Sequence, residues 1–159
     1  FQSGVKVDII AGFRSKEIVI LEDEMKKASN RLLICTDDGT YGKKGFVTDA
    51  LEAEIKAGAG YDHVIAIGPL PMMKFVSLLT KKYEIPTIVS MNPIMIDGTG
   101  MCGWCRGTVA GKTRFACVEG PNFDGHQIDF DEAIERMSTY KKEEKAALDH
   151  YCRLENISM

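Results

Sequence analysis

The stretch Asp97-Gly98-Thr99-Gly100-Met101-Cys102-Gly103-Trp104-Cys105, followed twelve residues later by Cys117, holds the side chains best suited to chemistry. Three of the chain's five cysteines fall here within sixteen residues. Thiolates bind metals, and glycine lets a backbone turn tightly enough to bring amides close to an inorganic centre. Cys102 and Cys105 are spaced C-x2-C. With Cys117 they match the last three positions of the plant-type iron–sulfur pattern C-x4-C-x2-C…C, and Asp97 stands where its first cysteine would. A [2Fe–2S] centre needs two ligands per iron, so three thiolates require a fourth donor: the Asp97 oxygen, a histidine or an external group. The competing reading is a structural zinc ion with His126 or Asp97 as fourth ligand. A disulfide among these cysteines is a third reading. Cys35, apolar on both sides, reads as a small buried hydrophobe, and Cys152 on a terminal helix as incidental.

A second set of residues suits a nucleotide. Asp37 and Asp38 precede Gly39 directly after a strand, where carboxylates can meet ribose hydroxyls; the same pair can equally form an Asx turn. Gly12 and Arg14, with Lys16 beside them, follow an earlier strand and could attract a phosphate, though a solvated basic loop has the same composition. Gly68-Pro69 leads from a strand into a helix, so its amides could approach a nicotinamide or phosphate, or simply make a tight turn. His63, His126 and His150 are too scattered to form a metal set. No G-x-G-x-x-G, no G-x-x-x-x-G-K-[ST] and no Ser-His-Asp arrangement is present.

The elements that must position these residues alternate. Strands are expected at Val5 to Ala11, Arg31 to Thr36, His63 to Ile67 and within Pro86 to Met91. Helices are expected from Lys16, with Ile18, Leu21 and Met25 on one face, from Phe46 to Lys56, and from about Met72 to Tyr83. Short apolar strands alternating with helices predict an α/β fold with a parallel sheet covered on both faces. Ligands of such sheets gather at the carboxyl ends of the strands, where Gly12, Arg14, Asp37, Asp38, Gly39, Gly68 and Pro69 would lie. The alternation stops at Asn92. Beyond it, Arg106–Val109 and Thr113–Ala116 flank a hairpin turn, a loop runs from Glu119 to Asp129, and one polar helix is expected from Phe130 to about Glu155.

Composition sets the outer bounds. With 45% hydrophobic and 27% charged residues the chain is of ordinary globular type. A net charge of −3 gives no sign of a nucleic-acid or anionic-membrane partner. No apolar run approaches the roughly 20 residues of a membrane span, and no signal peptide is visible. An odd number of clustered cysteines then favours metal binding in a reducing cytoplasm. Phe1-Gln2-Ser3 reads as the remnant of an expression tag.

The segments Gly12–Lys16, Thr36–Asp49, Ala66–Lys74 and Asp97–Cys117 with Glu119–His126 together resemble ferredoxin–NADP reductase-like electron-transfer subunits. Within them they are similar to the NADH-dependent ferredoxin:NADP oxidoreductase group, with the dihydroorotate dehydrogenase electron-transfer subunits as relatives. The resemblance implies an oxidoreductase subunit passing electrons between NAD(P)H, FAD and a [2Fe–2S] cluster to a larger flavin and iron–sulfur partner subunit, with ferredoxin as a candidate partner. It implies Asp97, Cys102, Cys105 and Cys117 as cluster ligands, since Asp at the first position is the mark of the ferredoxin:NADP oxidoreductase group. It divides the chain into an incomplete NAD(P)-binding domain at 4–92, a cluster-binding subdomain at 93–129 and a C-terminal helix at 130–159. The family's FAD barrel and first strand are not found here. With a family sheet order of 3-2-1-4-5, the chain would start at the second strand and leave two unpaired edges, which self-association would cover. Alone, it is expected to be inactive. A zinc-stabilised docking module is the non-enzymatic alternative, and a dihydroorotate dehydrogenase electron-transfer subunit is the other.

Overall fold

Two short three-stranded sheets, one parallel and one mixed, carry the chain, each in its own compact unit, the first up to Tyr61 and the second from Asp62. The computed structural model describes residues 4–154, with side chains through Tyr151, so the tag reading of Phe1–Ser3 and the role of Cys152 lie outside what is described.

In the first unit, β1 (Asp8–Phe13) pairs in parallel with β2 (Arg31–Thr36), which pairs with the two-residue β3 (Lys43–Lys44). β2 is the centre, and its Ile34, Cys35 and Thr36 are buried. α2 (Val47–Lys56) buries Ala50 and Leu51, and the Asp49 carboxylate accepts the Phe46 N–H at 3.3 Å to close its first turn. Gly12 lets that helix approach: a Cβ there would stand 2.6 Å from Val47 Cγ1. The helix expected from Lys16 is interrupted. A single 3-10 turn spans Lys16–Ile18, Leu21 takes φ 55°, and α1 runs only Glu22–Lys27. One left-handed residue breaks the hydrogen-bond ladder that a continuous helix needs.

In the second unit, β4 (Val64–Ile67) pairs in parallel with β5 (Thr87–Ser90), and β5 pairs antiparallel with β8 (Asn122–Asp124). α3 (Leu70–Lys82) packs Met73, Val76, Ser77 and Thr80 inward. β6 (Arg106–Val109) and β7 (Lys112–Phe115) form the expected hairpin; Ala110 and Gly111 both have positive φ, 52° and 71°, as a type I′ turn requires. The expected loop from Glu119 to Asp129 thus contains a strand. The expected single terminal helix is two, α4 (Phe130–Met137) and α5 (Lys141–Leu154).

The parallel α/β class is as expected, but the sheet is not continuous. Among the described residues β1 ends one sheet and β4 ends the other, each with an unpaired side.

Candidate functional site

The β6–β7 hairpin is the frame of the cysteine loop. Arg106 is paired with Phe115, and the ladder runs one step further as Ala116 N–H donates to Cys105 O at 3.2 Å. Cys105 and Cys117 therefore meet across the open end of the hairpin, their Sγ atoms 3.2 Å apart. Cys105 is buried and Cys102 exposed, and all three thiols of the loop are free. Their shared hydrogen bond holds the Cys117 thiol above its ordinary value, ahead of burial and of charge on Cys105.

Asp97 closes the other side. Its two carboxylate oxygens accept the N–H groups of Thr99 at 2.9 Å and Cys102 at 2.8 Å. These two bonds, Thr99 first, hold its carboxyl below the usual range. Each oxygen retains a second lone pair. Gly98, Gly100 and Gly103, with φ of 74°, 83° and 65°, supply the left-handed turns that fold the segment back on itself. Two backbone amides also face sulfur: Trp104 N–H donates to Cys102 Sγ and Cys117 N–H to Cys105 Sγ, both at 3.5 Å.

Two local contacts thus organise the loop: the Asp97 carboxylate on the Cys102 amide, and the Cys105 thiol on the Cys117 thiol. No three His, Cys, Asp or Glu side chains among the described residues converge to hold a single metal ion. Three thiols and a carboxylate on one glycine-rich loop are a donor set that suits an iron–sulfur centre. His126, the other fourth-ligand candidate, is engaged elsewhere. Its Nε2 meets Thr80 Oγ1 at 3.0 Å within a buried hydroxyl cluster.

Groups that the spacing gave no hint of hold the loop from behind. Arg106 donates to Gly103 O at 3.0 Å, and Arg136, from α4, donates to Trp104 O at 3.1 Å. The Trp104 ring stacks on Tyr140 with centroids 5.8 Å apart and planes 13° from parallel. A cavity of about 270 Å³ lies among Trp104, Cys105, Arg106, Arg136, Met137 and Tyr140. The one available signal was a lone tryptophan inside a C-x2-C.

The nucleotide candidates fall in both units. In the first, the parallel β1–β2 pairing continues into the loops: Asp37 N–H donates to Phe13 O at 3.1 Å, Asp38 N–H to Arg14 O at 3.3 Å, and Lys16 N–H to Thr40 Oγ1 at 2.9 Å. Gly12, Arg14, Asp37, Asp38 and Gly39 therefore share one sheet end. Asp38 is the turn former: its Oδ1 accepts both the N–H and the hydroxyl of Thr40, at 2.9 and 2.7 Å, and the backbone bond leads in holding its carboxyl below the usual range. Asp37 is exposed, and its carboxylate accepts no hydrogen bond among the described residues. Gly68 and Pro69 stand in the second unit between β4 and α3, with Pro69 as the helix cap.

Cys35 is buried in β2, and burial pushes its thiol up, as its apolar surroundings predict.

The sheets, the cysteine loop and the terminal helices form a fold that matches the ferredoxin–NADP reductase type. Residues 92–129 match the iron–sulfur cluster binding domain of dihydroorotate dehydrogenase B. Over 152 residues the chain is 43% identical to the dihydroorotate dehydrogenase B (NAD(+)) electron transfer subunit homolog of Thermotoga maritima, covering 96% of this chain and 53% of that protein. An uncharacterised protein of the adh 3′ region of Clostridium beijerinckii is 52% identical over 150 residues, covering 93% of this chain and 51% of the other. Among solved structures, NADH-dependent reduced ferredoxin-NADP oxidoreductase, described in connection with flavin-based electron bifurcation, superposes with a TM-score of 0.83 at 42% identity, over 94% of this chain and 54% of its own. The chain spans about half the length of these relatives. Among its described residues no helix is long and apolar enough to cross a membrane.

Proposed function

We propose that the chain is the nucleotide-facing and cluster-bearing part of an electron-transfer subunit that connects NAD(P)H and FAD, through a [2Fe–2S] cluster, to a larger partner subunit. The observation that carries this reading is the cysteine loop itself, in which the Cys105 and Cys117 thiols touch and the Asp97 carboxylate is clasped on the Cys102 amide. In that reading Asp97, Cys102, Cys105 and Cys117 would hold the cluster. When bound, the cluster supplies one-electron storage, while the nicotinamide and flavin supply hydride chemistry.

The chain's own residues bind, orient and neutralise. Cys102, Cys105 and Cys117 must lose their protons to ligate, so loading releases protons and is favoured by higher pH. The Trp104 and Cys117 amides then face sulfur and stabilise added negative charge. At the first unit's sheet end, Asp37 is the carboxylate for ribose hydroxyls, Asp38 and Gly39 shape the turn beneath it, and Arg14 faces a phosphate beside Gly12. In the second unit, Gly68 and Pro69 offer amides for a nicotinamide or a phosphate. The functional segmentation 4–92, 93–129 and 130–159, ferredoxin as a candidate partner and a cytoplasmic setting belong to the same proposal. Taken alone, the chain is not expected to oxidise NADH, because no flavin site is identified in it.

The test is metal analysis with absorption and EPR spectroscopy after anaerobic loading with iron and sulfide. Two irons and two sulfides per chain, with visible charge-transfer bands and a rhombic signal on reduction, are expected. A colourless protein that takes up one zinc and no iron would overturn the reading in favour of a docking module.

A further inference from the structure

We infer that Arg136 and Arg106 are positioning residues for the cysteine loop, and that through it they set the electron affinity of the centre. The inference rests on the reading of the loop as an iron–sulfur site.

The two guanidiniums hold two successive carbonyls, Gly103 O at 3.0 Å and Trp104 O at 3.1 Å, both inside the C-x2-C segment. In a trans peptide the C=O and the next N–H point in opposite directions. Fixing Gly103 C=O on Arg106 therefore aims the Trp104 N–H the other way, and it is found on Cys102 Sγ at 3.5 Å. Fixing Trp104 C=O on Arg136 likewise sets the plane of the peptide that leads into Cys105.

Arg136 comes from a distant part of the chain, so the grip requires that α4 itself be anchored. Asp129 Oδ1 caps the helix by accepting the Glu132 N–H at 3.0 Å, and the Asp129 N–H donates to Thr108 O at 2.9 Å. Glu132 Oε2 in turn accepts the Thr108 N–H at 3.1 Å. Lys74 of α3 pairs with Asp131 at 2.5 Å, and Phe130 and Ala133 are buried. β6 thus carries the loop at one end and α4 at its middle, which fixes the guanidinium relative to the cysteines. Tyr140, just past α4, holds the Trp104 ring by stacking.

The consequence is electrostatic. Reduction adds negative charge to a centre at this loop. Positive charge and oriented N–H dipoles behind it favour the reduced form and raise its potential.

The experiment uses the iron-loaded protein with Arg136→Gln, Arg106→Gln and Arg136→Lys, read by EPR-monitored redox titration and iron content. Arg136→Gln and Arg106→Gln are each expected to disfavour the reduced form by about tenfold, about 59 mV for a one-electron couple. Arg136→Lys keeps the charge and is expected to recover most of that shift. Full iron content with an unchanged midpoint in both Gln variants overturns the inference. If Arg136→Gln loses its iron, the metal-free chain decides. Trp104 is the only tryptophan, and its emission should shift to the red in Arg136→Gln and not in Arg136→Lys; identical emission in all three proteins overturns the inference. Uptake of zinc without iron by the unsubstituted protein defeats the underlying reading instead, and metal analysis separates that result from an unchanged midpoint.

Discussion

The thiols of Cys105 and Cys117 lie 3.2 Å apart because the β6–β7 ladder, extended by Ala116 N–H on Cys105 O, brings Cys105 opposite Ala116 and Cys117 next to it. Twelve residues of sequence separation are folded into one contact by an Ala110-Gly111 turn. Cys117→Ser and Cys105→Ser are therefore expected to lose iron to a similar extent, whereas Cys35→Ser, buried in β2 of the other unit, is expected to retain it. Iron-to-protein ratios after identical loading check this. Equal iron in the Cys117 and Cys35 variants would contradict the pairing.

Asp97 offers the sharpest chemical test. An oxygen ligand in place of sulfur changes charge and covalency at one iron, so Asp97→Cys is expected to shift both the midpoint potential and the g-values of the reduced centre. Asp97→Ala removes the clasp on Thr99 N–H and Cys102 N–H as well as the donor, and should weaken iron retention by about 10- to 100-fold. Competition with a chelator measures the second effect. An Asp97→Cys protein identical to the parent in potential and spectrum would remove any ligand role for the carboxylate.

A buried hydroxyl relay supports the second unit. Thr87 Oγ1 donates to Thr80 Oγ1 at 2.6 Å, and Thr80 Oγ1 meets His126 Nε2 at 3.0 Å while bonding the Val76 carbonyl at 3.0 Å. Thr80→Val keeps the volume but leaves the hydroxyl of Thr87 and the ring of His126 without this partner. The expected loss is about 1–3 kcal/mol, seen as a lower denaturation midpoint with an unchanged m-value. No change in midpoint would show the relay to be energetically idle.

Gly42 is the position where a side chain is least tolerable. It has φ 63°, and a Cβ there would stand 2.2 Å from the Ile34 carbonyl oxygen of β2. Gly42→Ala combines left-handed strain with a clash against backbone that cannot rotate away, and should cost at least about 2 kcal/mol. Gly58 has φ 93° but open space around it, so Gly58→Ala should cost less. Thermal melts of the pair check the order.

One pH dependence follows from α1. Glu22 accepts from Lys26 at 2.5 Å and from the Tyr41 hydroxyl at 3.0 Å, and these bonds, Lys26 first, hold its carboxyl below the usual range. A lowered folded-state value means that the contribution is present above the unfolded value of about 4.3 and is lost as the pH falls through the folded one. Tyr41→Phe should raise the Glu22 midpoint measured by NMR titration. An unmoved midpoint would show that Lys26 alone accounts for the shift.

Local pattern carried much of the fold. β2 and β5 lie where their apolar runs predict, α2 begins after Phe46 and ends at Lys56 as its periodicity predicts, and Ala110-Gly111 marks the hairpin. The missed elements each lack a local signature. β8 is only Asn122-Phe123-Asp124, too short and polar to read as a strand, and exists because β5 offers it an edge. Leu21 has no side-chain feature that announces φ 55°, so the break before α1 was invisible. The two aspartates at 37 and 38 are alike in type, and only the position of Thr40 shows that one is spent on the turn.

The same division holds at the site. Residue types and spacing by themselves marked Cys102, Cys105 and Cys117 as candidate metal ligands and left the fourth donor open between Asp97, a histidine and an external group, because ligand chemistry and a glycine-rich loop are local properties of the chain. Tertiary structure alone decided that the Cys105 and Cys117 thiols meet, that His126 is held by Thr80, and that Arg136 reaches back thirty-two residues to Trp104. These are contacts between distant segments. They depend on where hairpin, helix and sheet come to rest against one another, and no short window of sequence encodes that placement.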